Sequence, residues 1–174
     1  IDTTINVTQN PSHAQRYWWC TYGHGADYPR WVLRNKGNFQ RAPGDPIIAQ
    51  SHALAGPLRW GATQEKYREP YTDANGKAAY RLPDAYFALE QGKPNIHVPN
   101  MSNPKVVDLY VDYYLSLLRQ HPDQYISISA EDGFVNDERP ESRQLDSAEF
   151  DAIIGAPSAT DRLLNFHHRV IRRV

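Results

Sequence analysis

Tyr125-Ile126-Ser127-Ile128-Ser129-Ala130-Glu131-Asp132-Gly133 is the stretch from which the rest of the chain is best read. Ile126 and Ile128 alternate with Ser127 and Ser129, the period-two pattern of a strand with one apolar face. The segment ends on two carboxylates and a glycine, and the polar loop Asn136-Asp137-Glu138-Arg139-Pro140 comes next. Strand, acidic tip, long loop and then helix is the order in which α/β enzymes present catalytic groups at the carboxyl end of a parallel strand. Turns and helix caps also end strands in acidic residues, so the pattern alone leaves both meanings open.

Working outward, Asn103-Pro104 opens the strongest helical pattern. Asn103 or Ser102 caps, Pro104 takes the first position, and Val106, Val107, Tyr110, Tyr113, Tyr114, Leu117 and Leu118 recur at helical spacing. A helix is expected over about 104–119, stopping before His121-Pro122. A second helix is expected over about 159–172. Ser158 would cap it with Asp161 answering as in a capping box, and Leu163, Leu164, Phe166, Val170 and Val174 would form its apolar face. Arg169, Arg172 and Arg173 suit the negative end of its dipole.

Earlier in the chain, Thr3 to Thr8 is a short β-like run. Arg16 to Tyr22 is an aromatic strand candidate closed by Gly23-His24-Gly25, Tyr28 to Arg34 reads as a short helix, and Pro46 to His52 is a further strand candidate. Between Gly56 and Asn100 the signal weakens to recurrent Gly, Pro and polar residues. This reads as an irregular insertion, in which Leu82 to Leu89 is a short helix or strand. Strands alternating with helices argue for an α/β fold, parallel strands with flanking helices, within one domain over 1–174. A complete (β/α)8 barrel needs about 250 residues, so the expectation is an open α/β domain or part of a TIM-type barrel, with three or four βα units and an unpaired sheet edge.

Composition narrows the classes. The chain has 174 residues, 40% apolar and 22% charged, which suits a domain with a real core. A net charge of −1 gives no electrostatic case for nucleic acid or an anionic membrane. No apolar run approaches the ~20 residues needed to span a bilayer. Cys20 stands alone, so no intrachain disulfide forms. The chain starts at Ile1 with neither an initiator Met nor a signal peptide, as a processed form or a fragment would. Tyr, Trp and Phe are plentiful; such residues fill cores and also line clefts that bind sugars through their apolar faces.

Several stretches in order resemble the bacterial domain-of-unknown-function family DUF4838, itself related to α-glucuronidase-type glycoside hydrolases with a TIM-barrel catalytic domain. They are His52, Pro83-Asp84-Ala85-Tyr86-Phe87-Ala88-Leu89 with Gly92-Lys93, and Met101-Ser102-Asn103-Pro104-Lys105-Val106-Val107. His121-Pro122-Asp123, Ile126-Ser127-Ile128-Ser129, Asp132-Gly133 and Ser158-x-x-Asp161-Arg162-Leu163-Leu164-x-Phe166 complete the series. The family often carries cysteines soon after the Asp-Gly pair. Here Phe134-Val135-Asn136-Asp137-Glu138-Arg139 stands there, so no metal or thiol role carries over. The resemblance implies a carbohydrate-active protein, with a carbohydrate as ligand and the missing part of its own barrel or a second copy as partner. It implies no cofactor and leaves the localisation open, a periplasmic or extracellular one included.

Glu131 and Asp132 are the candidate catalytic residues. Being adjacent they point to opposite faces unless the strand has already ended, so they are poor as a glycosidase pair, whose members sit about 5–10 Å apart across the scissile bond. One of them would act as acid or base with a carboxylate from elsewhere, and Asp132 is the one in the resembling motif. His52, His24, Tyr22, Trp60, Trp19 and Arg139 are the candidate sugar-binding residues, each with a structural role as its alternative. A metal set of His24, His52 and Asp132 is chemically sensible but has no short ligand spacing. The expected function is a glycoside hydrolase acting on uronic-acid-bearing or related polysaccharide. The alternatives are a non-catalytic carbohydrate-binding module and a metal-dependent hydrolase.

Overall fold

The structure, a computed structural model, describes residues 54–123, 126, 128, 137–152 and 155–174. The expected strands over 3–8, 16–22 and 46–52, the helix over 28–34 and most of the 125–133 stretch lie outside these residues.

The described part opens with helix α1 (Ala55–Gly61) and a 3-10 turn (Glu65–Tyr67). A hairpin follows, β1 (Glu69–Thr72) with β2 (Ala78–Arg81), in the register Pro70↔Tyr80. Its loop is closed by Asp73, whose carboxylate accepts the amides of Asn75 and Lys77 at 2.9 and 2.8 Å, with Gly76 at φ 77°. A 3-10 turn (Asp84–Tyr86) leads into a second hairpin, β3 (Phe87–Glu90) with β4 (Lys93–Pro99). Helix α2 (Pro104–Gln120), the short helix α3 (Pro140–Arg143), a two-residue ladder of β5 (Phe150–Asp151) with β6 (Ala156–Pro157), and helix α4 (Thr160–Ile171) complete the order.

α2 is the centre of the core, and its sequence explains why. The Asn103 side chain accepts the Lys105 amide at 2.9 Å, and Pro104 occupies the first turn, where its missing N–H costs nothing. Val106, Leu109 and Tyr110 are fully buried on one side of the helix. α1 and α4 both pack on α2. The α1 contact is so close that a Cβ at Gly61 would lie 2.4 Å from Leu109 Cδ1. On the α4 side, Phe166 meets Tyr110 edge to face, with centroids 4.9 Å apart. Ile126 and Ile128, outside any assigned strand, pack partly buried against this core.

Parallel strands with flanking helices, as in three or four units of a TIM-type barrel, are not what the described residues build. Among the described residues every strand pair is antiparallel, in three separate two-stranded sheets. The reason is local. Strands joined by short loops fold back on each other, whereas parallel neighbours need a crossover of a dozen residues or more. The β3–β4 loop is just Gln91-Gly92, both with positive φ (50° and 72°), as a type I′ hairpin turn requires. The stretch read as an irregular insertion over 56–100 thus holds α1 and both hairpins.

The two expected helices are found at Pro104–Gln120 and Thr160–Ile171. The capping box at the second is not formed. Ala159 is its cap without a side-chain bond, and Ser158 Oγ accepts the Thr160 amide at 3.3 Å. Of its expected apolar face, Phe166 and Val170 are buried, whereas Leu164 and Val174 are exposed.

Candidate functional site

Of the residues read from sequence as a site, Glu131, Asp132, His52, His24, Tyr22 and Trp19 lie outside the described residues. Trp60 and Arg139 lie inside them. Trp60 is on α1 rather than in a loop, and its ring packs against Tyr113 and Tyr67 at 5.7 and 6.3 Å between centroids. Arg139 donates from Nε to Phe87 O at 3.2 Å and from Nη2 to Asp84 O at 3.1 Å, tying itself to the start of β3.

Arg139 is one of three consecutive residues that dock the segment after the acidic stretch onto the β3–β4 hairpin. Asp137, buried, accepts the Leu89 amide at 2.8 Å and the Arg139 amide at 3.1 Å through Oδ1. Its Oδ2 accepts the hydroxyl of fully buried Ser142 at 2.6 Å. That hydroxyl oxygen lies 3.3 Å from Asn100 Oδ1 and 3.2 Å from Ser102 Oγ, and Ser102 in turn donates to Asn100 at 2.6 Å. Asn100 and Asn103 both donate to Ala85 O at 3.0 Å. Glu138 spans the hairpin turn, its two oxygens accepting the amides of Gln91 and Gly92 at 2.9 Å each. The Gly92 and Gln91 N–H donors hold the Glu138 carboxyl below its ordinary value. Of these three residues the sequence singles out only Arg139, as a sugar-binding residue or a structural one. The structure has a clamp whose carboxylates are occupied by backbone amides.

A second cluster joins the 3-10 turn at 65–67 to α2. Asp112 accepts from Lys66 Nζ and from the Tyr67 hydroxyl. Burial opposes ionisation of Asp112, but these two donors outweigh it and hold its carboxyl below the ordinary value. Burial first, and then Asp112, push the Tyr67 phenol well above its usual range, so it stays a hydrogen-bond donor. One turn earlier, Asp108 pairs with Arg173 at 2.8 Å. Nothing local in the sequence marks this cluster: Asp112 and Tyr67 are 45 residues apart.

Between the segment after α3 and α4, Arg162 Nε lies 3.1 Å from Asp146 Oδ1, with side chains 1% and 9% exposed. Burial pushes the Asp146 carboxyl up and the Arg162 guanidinium down, each partner opposing the other's shift. Burial also lowers the His167 imidazole on the same helix, so its ring is kept neutral. Among the described residues no group of three or more His, Cys, Asp or Glu is arranged to hold a metal ion, and no helix is long and apolar enough to cross a membrane.

The β1–β2 hairpin is different in character, because both its faces look largely into solvent. Tyr80 on β2 is 64% exposed, and the Arg68 guanidinium stands 5.2 Å from its ring centroid. Neither residue stands out in the sequence, where recurrent Gly, Pro and polar residues between Gly56 and Asn100 read as an irregular insertion rather than as a hairpin. Comparison with protein-family models, with curated proteins and with solved structures found no match.

Proposed function

We propose that the chain is carbohydrate-active, a glycoside hydrolase acting on uronic-acid-bearing or related polysaccharide, with Asp132 as its acid or base. One observation carries the reading. Residues of the stretches that resemble the DUF4838 family supply partners to the clamp that holds the segment after Asp132. Asp84, Ala85, Phe87, Leu89 and Gly92 supply its backbone partners, and Ser102 and Asn103 extend it. Such a scaffold supports a function that needs this segment held in place, since catalytic groups work only when the elements beneath them are fixed.

A non-catalytic carbohydrate-binding module is the second reading. Asp112, Asp137, Glu138 and Asp146 are each already committed to hydrogen bonds or an ion pair, which supports binding without turnover. The test is release of reducing ends from uronic-acid-bearing oligosaccharides, with a neutral oligosaccharide as control. Turnover by the parent chain, lost in Asp132→Asn at unchanged melting temperature, is the expected result. Glycan binding without turnover would leave the module reading, and an Asp132→Asn chain that loses activity only by unfolding would make that carboxylate structural.

A further inference from the structure

The β1–β2 hairpin carries an arginine stacked on a tyrosine on each face, and the two faces differ in charge balance. On one, Arg81 lies 5.2 Å from the Tyr71 ring centroid and is neutralised, with Nη1 at 3.2 Å from Asp84 and Nε at 4.0 Å from Glu69. On the other, Arg68 lies over Tyr80, forms no ion pair with a described residue, and keeps a buried Nε without a hydrogen-bond partner. Beside Tyr80, directly across the ladder, is Pro70, also exposed. Trp60, by contrast, has its ring taken up by Tyr67 and Tyr113. Tyr80 touches no other aromatic ring among the described residues and is 64% exposed, so the ring surface that Arg68 does not cover is open to solvent or to a ligand.

We propose that the Arg68–Pro70–Tyr80 face is a subsite for a carboxylate-bearing sugar unit. This rests on the carbohydrate reading above and places a ligand contact on a hairpin far in sequence from Asp132. A pyranose ring offers a flat C–H face that packs on an exposed aromatic, and a guanidinium offers the forked donors that a carboxylate accepts. Unpaired among the described residues, this cation selects the charge of the ligand: a neutral sugar would stack on Tyr80 yet give Arg68 no counterion. The stack on Tyr80 also holds Arg68 in place before the ligand arrives, which lowers the ordering cost of binding. A polyanionic nucleic acid fits less well, because the chain as a whole carries a net charge of −1.

The test is titration of the whole chain with an oligogalacturonate and with the same oligosaccharide after carboxyl reduction, followed by calorimetry at low and high salt. Tyr80→Ala is expected to weaken both sugars about tenfold, the loss of one stacking contact. Arg68→Gln is expected to weaken only the acidic sugar, and to remove the salt dependence of its binding. Arg81→Gln, on the neutralised face, is expected to change neither. Melting curves separate a lost contact from a lost fold; Tyr80 and Arg81 are exposed and Arg68 is half-buried. Glycan binding that is indifferent to Tyr80→Ala and Arg68→Gln would overturn the subsite and leave the carbohydrate reading standing. Equal affinity for the acidic and reduced sugars would remove the role of Arg68. Binding of a short single-stranded oligonucleotide in preference to either sugar, or binding of no glycan at all, would overturn the subsite and the carbohydrate reading together.

Discussion

Replacing Asp137 with alanine probes the clamp at its centre. The carboxylate accepts the Leu89 amide, the Arg139 amide and the Ser142 hydroxyl, at 2.8, 3.1 and 2.6 Å. Of these donors Ser142 has substitutes, since Asn100 Oδ1 and Ser102 Oγ lie 3.3 and 3.2 Å away. Among the described residues the two amides have none. The part-buried Leu89 amide loses its partner at a cost of about 1–3 kcal/mol, and the Arg139 amide, nearer to solvent, adds about 1 kcal/mol. The expected loss is therefore about 2–4 kcal/mol. With a urea dependence of about 1–3 kcal/mol per molar, the unfolding midpoint drops by roughly 1–2 M. Asp137→Asn keeps an oxygen facing both amides and gives up the charge and the acceptor of the Ser142 hydroxyl, which Asn100 and Ser102 can replace, so it should cost about 1 kcal/mol. Urea unfolding followed by circular dichroism measures the difference, and amide exchange at Leu89 should accelerate in the alanine variant alone. A change within about 0.5 kcal/mol of the parent, as at an ordinary surface position, would refute the reasoning. So would an asparagine variant as unstable as the alanine one.

Three further outcomes follow from the same geometry. Gly61→Ala gains about 1 kcal/mol of helix propensity but sets a methyl group 2.4 Å from Cδ1 of the fully buried Leu109, which must shift to admit it. Overpacking of about 1–3 kcal/mol should win, and a raised melting temperature would show that α1 and α2 are not so close. Gln91→Asn places the residue preferred at the first position of a type I′ turn where φ is 50°, and should raise stability by about 0.5–1 kcal/mol while Glu138 still accepts the amide; destabilisation in thermal unfolding would argue against that turn. Asp112 and Glu138 both have folded pKa values below their ordinary ones. Their contributions are therefore complete above the unfolded carboxylate range, about pH 4–5, and are lost as pH falls through the depressed folded values. Urea midpoints between pH 6 and 2 should fall on acidification, and fall less steeply in Asp112→Asn/Glu138→Gln; an unchanged slope would mean the two carboxylates are free in solution.

The two long helices were legible because their information is local. Apolar residues at 3.6-residue spacing, with Asn103-Pro104 at one start, settle a helix within its own length, and α2 forms over Pro104–Gln120 for that reason. The alternation at Ile126 and Ile128 likewise named two residues that face the core. Strand direction is not local information. A period of two marks a strand but not its neighbour, so alternating strand and helix signals were compatible with a parallel sheet until the turns were seen. Gln91-Gly92 lacks the Asn or Asp that announces a type I′ hairpin, and the positive φ of Gln91 is supported by Glu138, 47 residues away. The polar clusters depend on the same kind of distance. Asp112 is one more helix carboxylate until the fold brings Lys66 and Tyr67 to it, and Asp137 reads as solvated charge until β3 presents an amide. At Asp137 burial then decides the chemistry, because a carboxylate away from water must take whichever donors the fold supplies. Exposure decides Tyr80 in the same way. An aromatic in a weak pattern is expected in the core, and only the hairpin's position, with both faces toward solvent, leaves this one outside.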